Sequence, residues 1–370
     1  MSMNLNRIII AGGGTGGHIF PAIAVANALQ KMIPSIDILF IGAKGKMEME
    51  KVPQAGYRIE GIDIAGFNRS HLLQNWKLPF QLLSSFLQVR SIFKKFSPDA
   101  VFGVGGYSSF PVLRFAQQQR IPTFLHEANS FAGKSNLMLS KKAELVMVGT
   151  EGMEKFFDTN TLVYTGNPVR REIAESTVLR EEAFEYFGLK SGKPTLLVMG
   201  GSLGARSINA ALNSGVHKLV DAGIQVIWQT GKGNLSAVSD SVKSRKEVCV
   251  TEFIAKMNYA YKAADVVVSR AGAIALAEIC VCGKPSVLVP FPLAAEDHQT
   301  VNAQLLVKKG AALMVSDKDA EVDLIDKVIE LIKDQERCKA YGEAAKLVGR
   351  KHADQYIAEL IINKMKEKNA

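Results

Sequence analysis

Two glycine-rich segments carry the residue types best suited to binding an anion. The first, residues 12–18, follows the apolar run Ile8–Ile10, and the second, residues 200–205, follows the apolar run 195–199. Glycine has no Cβ, so backbone N–H groups can approach a phosphate at a helix N-terminus, where the helix dipole also favours negative charge. A helix-like stretch follows each segment. This spacing predicts two nucleotide-binding halves with a ligand held between them.

The first glycine segment matches the G-x-G-x-x-G pattern through Gly12, Gly14 and Gly17. In a protein that binds NAD, this pattern is accompanied by an Asp or Glu at the end of the second strand, which binds the ribose. Here the second apolar run, residues 38–41, is followed by Gly42-Ala43-Lys44. The missing acid argues against NAD as a ligand.

Further polar or glycine-rich segments lie where predicted strands end, which is where open α/β sheets bind ligands. They are residues 103–109, 126–129, 166–171, 269–273 and 296–299. Segment 103–109 fits either a second anion-binding loop or a tight turn that needs positive φ. Arg170 would either pair with a pyrophosphate or lie at the surface. Glu278 lies in an apolar stretch and needs donors, which either ribose hydroxyls or a basic neighbour would supply.

Composition limits the class of protein. The chain has 370 residues, of which 47% are hydrophobic and 22% are charged, as is typical of a soluble protein with two domains. The four cysteines lack C-x-x-C spacing, and no apolar run reaches the roughly 20 residues of a membrane span, so we expect a cytoplasmic protein without a signal peptide. The net charge of +9 is spread over both halves without a dense basic and aromatic cluster, which argues against nucleic acid as a partner.

Residues 66–96 are both apolar and basic. Leu82, Phe86, Val89 and Phe93 recur at helical spacing, which predicts a helix that faces the core. The alternative is contact with a membrane surface. In that case the apolar side chains would enter the interface and the basic ones would meet anionic headgroups; these side chains are Leu72, Leu73 and Trp76, and Arg69, Lys77 and Lys94.

Domain boundaries follow from residues that interrupt regular structure. Gly166-Asn167-Pro168 disfavours both helix and strand, so we expect a first domain over residues 1–166 and a second over residues 167–345. Residues 346–370 form a basic helical segment that would pack back on the first domain. Asp317-Lys318-Asp319 precedes a helical stretch, which favours helix capping over metal binding.

In order and spacing, these segments resemble the bacterial lipid II-forming N-acetylglucosaminyltransferases of peptidoglycan synthesis. The resemblance rests on residues 13–18 with Pro21, 105–107, 126–129, 166–170, 200–205, 269–278 and 297–299 with Asn302. It implies an α/β protein of the GT-B fold, with two Rossmann-like domains whose parallel sheets face a deep cleft. The C-terminal domain would hold the nucleotide, and the N-terminal domain would take the lipid acceptor and associate with the membrane, which favours the membrane role for the stretch from Leu72 to Phe93.

The implied reaction is an inverting transfer of N-acetylglucosamine from UDP-N-acetylglucosamine to lipid I, which is undecaprenyl-pyrophosphoryl-MurNAc-pentapeptide. The products would be lipid II and UDP, and no cofactor or metal ion is expected. The implied location is peripheral, on the cytoplasmic face of the inner membrane. The implied partners are lipid I, the anionic membrane surface and other proteins of cell-wall synthesis.

The resemblance also implies roles for individual residues. His18 would be the general base, and Glu127 would share or take that role. UDP-N-acetylglucosamine would contact Thr15, Gly16, Gly17, Asn129, Arg170, Ser202, Ile254, Ala273, Ile274, Ala275, Leu276, Ala277, Glu278 and Gln299. The acceptor pyrophosphate would contact Gly14, Gly105, Gly106 and Tyr107. Ala128 and Leu203 depart from the family, because both stand where it usually has Gln.

Three other functions are compatible with parts of this pattern. Another GT-B UDP-sugar transferase would keep the donor loops and change the acceptor side, although Gly105-Gly106-Tyr107 and His126-Glu127 argue against it. A UDP-sugar epimerase would need further acid and base carboxylates, and no clear set is present. A non-catalytic UDP-sugar-binding scaffold would tolerate the loss of His18.

Overall fold

The chain forms two compact units, which the computed structural model describes over residues 5–64 and 78–368, with backbone alone for residues 78–80 and 295. The first unit comprises Met1–Val169 and His352–Ala370, and the second comprises Arg170–Lys351. The first unit therefore combines two separate segments of the chain.

The first unit contains a parallel sheet in the strand order β3-β2-β1-β4-β5-β6-β7. Its elements are β1 (Arg7–Ala11), α1 (Gly16–Met32), β2 (Asp37–Ala43), α2 (Glu48–Gln54), β3 (Arg58–Ile62), α3 (Leu78–Phe96), β4 (Ala100–Gly103), α4 (Ser109–Gln118), β5 (Thr123–Glu127), α5 (Lys134–Ser140), β6 (Leu145–Val148) and β7 (Leu162–Tyr164).

The apolar run Ile8–Ile10 becomes a central strand because helices cover both faces of the sheet. Ile8 and Ile10 pack into one cluster with α1, whereas Ile9 packs into a second cluster with α3 and α4. Parallel strands that are buried on both faces need such continuous apolar sequences. The core thus positions the carboxyl ends of β1 and β4 side by side.

The second unit contains a parallel sheet in the order β10-β9-β8-β11-β12-β13. Its elements are α6 (Arg171–Ala174), α7 (Arg180–Phe187), β8 (Thr195–Met199), α8 (Arg206–Asp221), β9 (Gln225–Gln229), α9 (Asp240–Lys243), β10 (Val248–Thr251), α10 (Met257–Ala263), β11 (Val266–Ser269), α11 (Ala273–Val281), β12 (Ser286–Leu288), α12 (His298–Lys308), β13 (Ala312–Met314), α13 (Ala320–Lys333) and α14 (Gln335–Val348).

Both sheets are Rossmann-like. In each, the chain moves outward from the first strand in one direction and then crosses to its other side, so the strand order reverses between β1 and β4 and between β8 and β11. Ligands of such sheets bind where the order reverses, at the carboxyl ends of the strands. The prediction of an α/β protein with two Rossmann-like domains is confirmed.

The last helix, α15 (Ala353–Glu367), packs on α1 of the first unit, where Ile357 and Ile361 join the cluster of Val25 and Leu29. The preceding helix, α14, packs on α11 of the second unit. The chain therefore re-enters the first unit at His352, six residues after the predicted start of the C-terminal segment at residue 346.

The first boundary lies at Val169, three residues beyond the predicted residue 166. Asn167 explains the difference, because its Nδ2 donates to the carbonyl oxygen of Ala128 over 3.0 Å and so holds this stretch to the first unit. A Cβ at Gly149 would lie 2.1 Å from Asn167 Oδ1, which shows how closely the two segments pack.

Helix α3 only partly follows the prediction of a core-facing helix. Val89 and Phe93 are buried, as expected, but Leu82 is exposed, and Leu83 and Leu87 are 63% and 62% exposed. The buried position one turn before Val89 is Ser85, whose hydroxyl donates to the carbonyl oxygen of Leu82.

The predicted membrane loop with Leu72, Leu73 and Trp76 lies outside the described residues. Across the described ranges, no helix combines the length and apolar character needed to span a membrane.

Candidate active site

Two glycine loops of the first unit meet at the carboxyl ends of β1 and β4. A Cβ at Gly106, which has φ 82°, would lie 2.6 Å from the carbonyl oxygen of Gly13. A Cβ at Gly14, which has φ 89°, would lie 3.3 Å from the ring of Tyr107. Only glycine combines this backbone conformation with so close an approach. The predicted segments 12–18 and 103–109 therefore form one surface of the site.

His18 lies at this junction, in the first turn of α1. Its Nδ1 is 3.2 Å from the hydroxyl oxygen of Thr15, the residue that precedes the helix. On the other side, a Cβ at Gly105 would lie 3.3 Å from His18 Nε2. If Nδ1 donates to Thr15, the lone pair remains on Nε2, which is the arrangement that a general base needs.

Glu127 ends β5 with its carboxylate buried and surrounded by donors. Oε1 accepts from the N–H of Asn129 over 3.1 Å and from its Nδ2 over 3.3 Å. Oε2 accepts from the N–H of Gly133 over 3.0 Å and from Nδ2 of Asn136 over 2.8 Å. These four hydrogen bonds hold the loop that follows β5, so the side chain organises this part of the site.

The neighbouring His126 is fully buried and points to the opposite segment. Its Nε2 donates to the carbonyl oxygen of Gly166 over 3.2 Å, and Nδ1 has no partner among the described residues. Burial lowers the pKa of His126 to about 4, although the hydrogen bond to Gly166 and the charge of Glu127 act in the other direction. The imidazole is therefore neutral near pH 7 and has a structural role.

In the second unit, the glycine loop after β8 is held by Gln229. Its Nε2 donates to the carbonyl oxygen of Gly201 over 3.1 Å, and its Oε1 accepts from the N–H of Ile254 over 2.9 Å. A contact between uracil and the backbone of Ile254 would therefore use the carbonyl group. Ser202 is exposed on this loop, and Leu203, at a position where Gln was expected, is 79% exposed.

Helix α11 presents backbone N–H groups at the end of β11. The N–H groups at the start of a helix have no partner within it, and the helix dipole makes this end positive. Ala273, Ile274 and Ala275 occupy these positions, whereas the N–H of Leu276 already donates to the carbonyl oxygen of Gly272. Among the predicted positions 273–278, the first three are thus the ones suited to a phosphate.

Two further predicted residues bind each other. Arg170 Nε donates to Oε1 of Glu278 over 2.8 Å, and Nη2 donates to Oε2 over 3.2 Å. The hydroxyl of Tyr261 also donates to Oε2, over 3.1 Å. Glu278 thus has the basic neighbour that was one of its two predicted partners.

Polar side chains of α12 hold the loops after β11 and β12. Gln299 Oε1 accepts from the N–H of Phe291 over 3.0 Å, and Asn302 Nδ2 donates to the carbonyl oxygen of Ala271 over 3.1 Å. Gln299 was predicted to contact the donor sugar, and its Oε1 already holds the loop after β12.

Several residues of these networks were missed at the level of sequence. Arg270 Nη1 lies 2.6 Å from Oδ1 of Asp317 and donates to the carbonyl oxygens of Val289 and Pro290. The segment 317–319 was predicted to cap a helix: Asp319 is the N-cap residue of α13, without a side-chain hydrogen bond to the helix, whereas the carboxylate of Asp317 pairs with this guanidinium. Glu48, an acid five residues after the end of β2, was also missed.

Comparison with known proteins agrees with this arrangement. The model of the glycosyltransferase family 28 N-terminal domain matches residues 8–148, and that of the glycosyltransferase family 28 C-terminal domain matches residues 195–359. The chain belongs to glycosyltransferase family 28. Within this family 28 transferase, the two matched regions contain the glycine loops of the first and second units.

The relatives extend over nearly the whole family 28 chain. A protein of Parabacteroides distasonis is 48% identical over 362 residues, which are 97% of this chain and 98% of that protein. A protein of Cytophaga hutchinsonii is 49% identical over 330 residues, which are 89% of each. Both are named UDP-N-acetylglucosamine--N-acetylmuramyl-(pentapeptide) pyrophosphoryl-undecaprenol N-acetylglucosamine transferase.

A solved structure is also similar along the full length. The crystal structure of MurG from Acinetobacter baumannii has a TM-score of 0.74 and 28% identity, and the match covers 96% of this chain and 99% of that one. The chain is thus a GT-B glycosyltransferase of the MurG type.

Proposed function

We propose that this protein transfers N-acetylglucosamine from UDP-N-acetylglucosamine to lipid I, which gives lipid II and UDP. The observation that carries the proposal is the 48% identity over 97% of the chain to a transferase named for this reaction. The positions of His18 and of the N-terminus of α11 support it, because both lie at the ligand-binding ends of their sheets.

In the first unit, we assign the general base to His18. Its Nε2 would take the proton of the acceptor hydroxyl as that oxygen forms its bond to the anomeric carbon of the donor. Glu127 is a poorer base because four N–H groups already occupy its carboxylate.

In the second unit, the N-terminus of α11 and the hydroxyl of Ser202 are suited to the phosphates of UDP. As the bond between the sugar and the β-phosphate breaks, its electron pair stays on the phosphate oxygen. Backbone N–H groups of Ala273, Ile274 and Ala275 would stabilise that charge without having to reorganise. The donor contacts of Thr15, Gly16, Gly17 and Asn129 stay predictions.

The acceptor pyrophosphate needs donors in the first unit. Of the predicted set, Gly14 has its N–H engaged by Glu48. The remaining candidates of that set are Gly105, Gly106 and Tyr107, which border the same glycine loop.

We further propose that α3 brings the protein to an anionic membrane surface. Leu82, Leu83 and Leu87 are exposed apolar side chains on this helix, and Arg90 and Lys94 are exposed basic side chains that follow them. An interfacial helix combines these two features. On this proposal the protein would act peripherally on the cytoplasmic face of the inner membrane, where lipid I would present its sugar.

The first test is release of UDP by the purified protein supplied with UDP-N-acetylglucosamine, with and without a lipid I analogue, and with EDTA throughout. Release that needs the analogue and survives EDTA is the expected result. Binding of the donor without release would contradict the proposal and favour a UDP-sugar-binding protein. Release without any acceptor would also contradict it.

A further inference from the structure

Glu48 is a buried carboxylate beside the first glycine loop. It is the first residue of α2 and is 1% exposed. Its Oε2 accepts from the N–H of Gly14 over 3.0 Å, and its Oε1 accepts from the N–H of Ala43 over 3.0 Å. One carboxylate thus joins the loop after β1 to the end of β2.

Two glycines leave the space that this carboxylate occupies. A Cβ at Gly13 would lie 2.2 Å from Glu48 Oε1, and a Cβ at Gly42 would lie 2.5 Å from its Cγ. A buried carboxylate is costly unless donors surround it, and hydrogen bonds to a charged acceptor are stronger than neutral ones. Gly13 and Gly42 therefore make room for the buried carboxylate of Glu48, in addition to any ligand that these segments bind.

The hydrogen bond to Gly14 lies directly before the residues that carry the proposed chemistry. Thr15 is the next residue and contacts His18 Nδ1. The ring of Tyr107 packs against Gly14, and burial, together with the charge of Glu48, raises the pKa of this tyrosine. Its hydroxyl therefore keeps its proton and can donate a hydrogen bond.

We infer that Glu48 is a positioning residue for the general base, because it holds the glycine loop in the conformation that places Thr15 and His18. The inference rests on the proposed function of the site. Because the N–H of Gly14 donates to Glu48, the acceptor pyrophosphate would rely on other donors.

The test compares Glu48→Gln with Val52→Ala in the intact protein. The Gln side chain keeps the size of Glu but can accept from only one of the two N–H groups, and its amide nitrogen then faces the other. Val52 is buried on the same helix and contributes no side-chain hydrogen bond, so its truncation disturbs packing alone.

We expect Glu48→Gln to lower kcat for transfer to a lipid I analogue by at least about tenfold, and to change the KM for UDP-N-acetylglucosamine by a smaller factor. The Val52→Ala variant should lose at least as much in melting temperature and keep kcat within about twofold of the original. An unchanged kcat in Glu48→Gln, or an equal loss in both variants, would overturn the inference.

A second measurement does not depend on activity. In protein with isotope-labelled glycine, the amide hydrogen of Gly14 should exchange at least about tenfold faster in Glu48→Gln than in the original, since local opening controls exchange. Unchanged exchange would overturn the inference. Absence of transfer by the original protein, together with faster exchange at Gly14, would instead count against the proposed function. If Glu48→Gln does not fold, the shorter Glu48→Asp is expected to show the same two losses.

Discussion

Arg170 and Glu278 are 108 positions apart and form a forked ion pair, with Nε to Oε1 at 2.8 Å and Nη2 to Oε2 at 3.2 Å. Burial by itself would lower the pKa of Arg170, but the charge and hydrogen bonds of Glu278 more than offset it, so that pKa is raised. The pair fixes α11 to the segment that begins the second unit. If Arg170 or Glu278 contacts the nucleotide directly, that contact must form in addition to this ion pair or replace it.

Glu278→Ala is expected to lower the free energy of unfolding by about 3 kcal/mol, because it removes the buried carboxylate that makes a forked ion pair with a largely buried guanidinium. The matched control is Glu172→Ala, since Glu172 also faces Arg170, at 3.5 Å, but is 57% exposed. Its truncation should cost less than about 1 kcal/mol. Urea unfolding measures both, and similar losses in the two variants would contradict the structural role of the pair.

His18→Ala is expected to lower kcat by about 10²- to 10⁴-fold, which is the usual contribution of a general base. Binding of UDP and the melting temperature should stay close to those of the original, because the side chain is only partly buried. Steady-state kinetics and UDP titration measure these quantities. A variant that keeps its turnover would remove His18 from the mechanism.

Glu127→Gln is expected to act mainly on stability. The amide cannot accept from all four N–H groups that now bind the carboxylate, and each lost acceptor in a buried site costs about 1 to 3 kcal/mol. We therefore expect a clear drop in melting temperature together with a smaller loss of kcat than in His18→Ala. The opposite order of the two kcat losses would instead make Glu127 the base.

The lowered pKa of His126 predicts that the stability of the folded protein depends on pH. Its pKa is lowered to about 4 in the folded protein, from the usual value near 6.5, so the unfolded chain binds more protons between these values. Stability therefore rises with pH across this window and is lost as the pH falls from about 6.5 to about 4, by up to about 3 kcal/mol. His126→Gln keeps an N–H donor for Gly166 without this titration.

Urea unfolding of the original protein and of His126→Gln, each at pH of about 7 and about 4, isolates this contribution, because other titrating groups are common to both. We expect the original to lose more stability than the variant on acidification. Equal losses would show that His126 does not contribute.

Leu83→Glu and Leu87→Glu are expected to weaken binding to anionic vesicles, each by about tenfold or more, because each removes an apolar side chain from the interface and adds a repelled charge. The control is Leu347→Glu, since Leu347 is 80% exposed but lies on α14 of the second unit. Vesicle sedimentation measures the binding. An equal effect of all three variants would contradict the role of α3.

Much of the fold was predictable from the sequence. Continuous apolar runs such as Ile8–Ile10 and Val266–Val268 predict strands that are buried on both faces, and glycine-rich loops after them predict Rossmann-like units. The α3 prediction was less accurate. Periodicity put Leu82 with Val89 and Phe93, but Leu82 is exposed and the buried position one turn before Val89 is Ser85.

The candidate site was predictable as a set of loops and less so as a set of contacts. Residue types and spacing placed His18 beside the first glycine loop and Glu278 in a buried position. They left open whether Glu278 meets a ligand or a basic neighbour, and they missed Glu48, which lies outside every glycine motif.

The sequence by itself determined the two Rossmann-like units and the positions of the polar loops, because apolar runs and glycines act over short distances along the chain. Only the tertiary structure decided which groups meet. Arg170 reaches Glu278, and Glu48 reaches Gly14, which is 34 positions away along the chain. A buried carboxylate must find donors, but which donors it finds depends on how separate strands are brought side by side, and spacing along the chain does not contain that information.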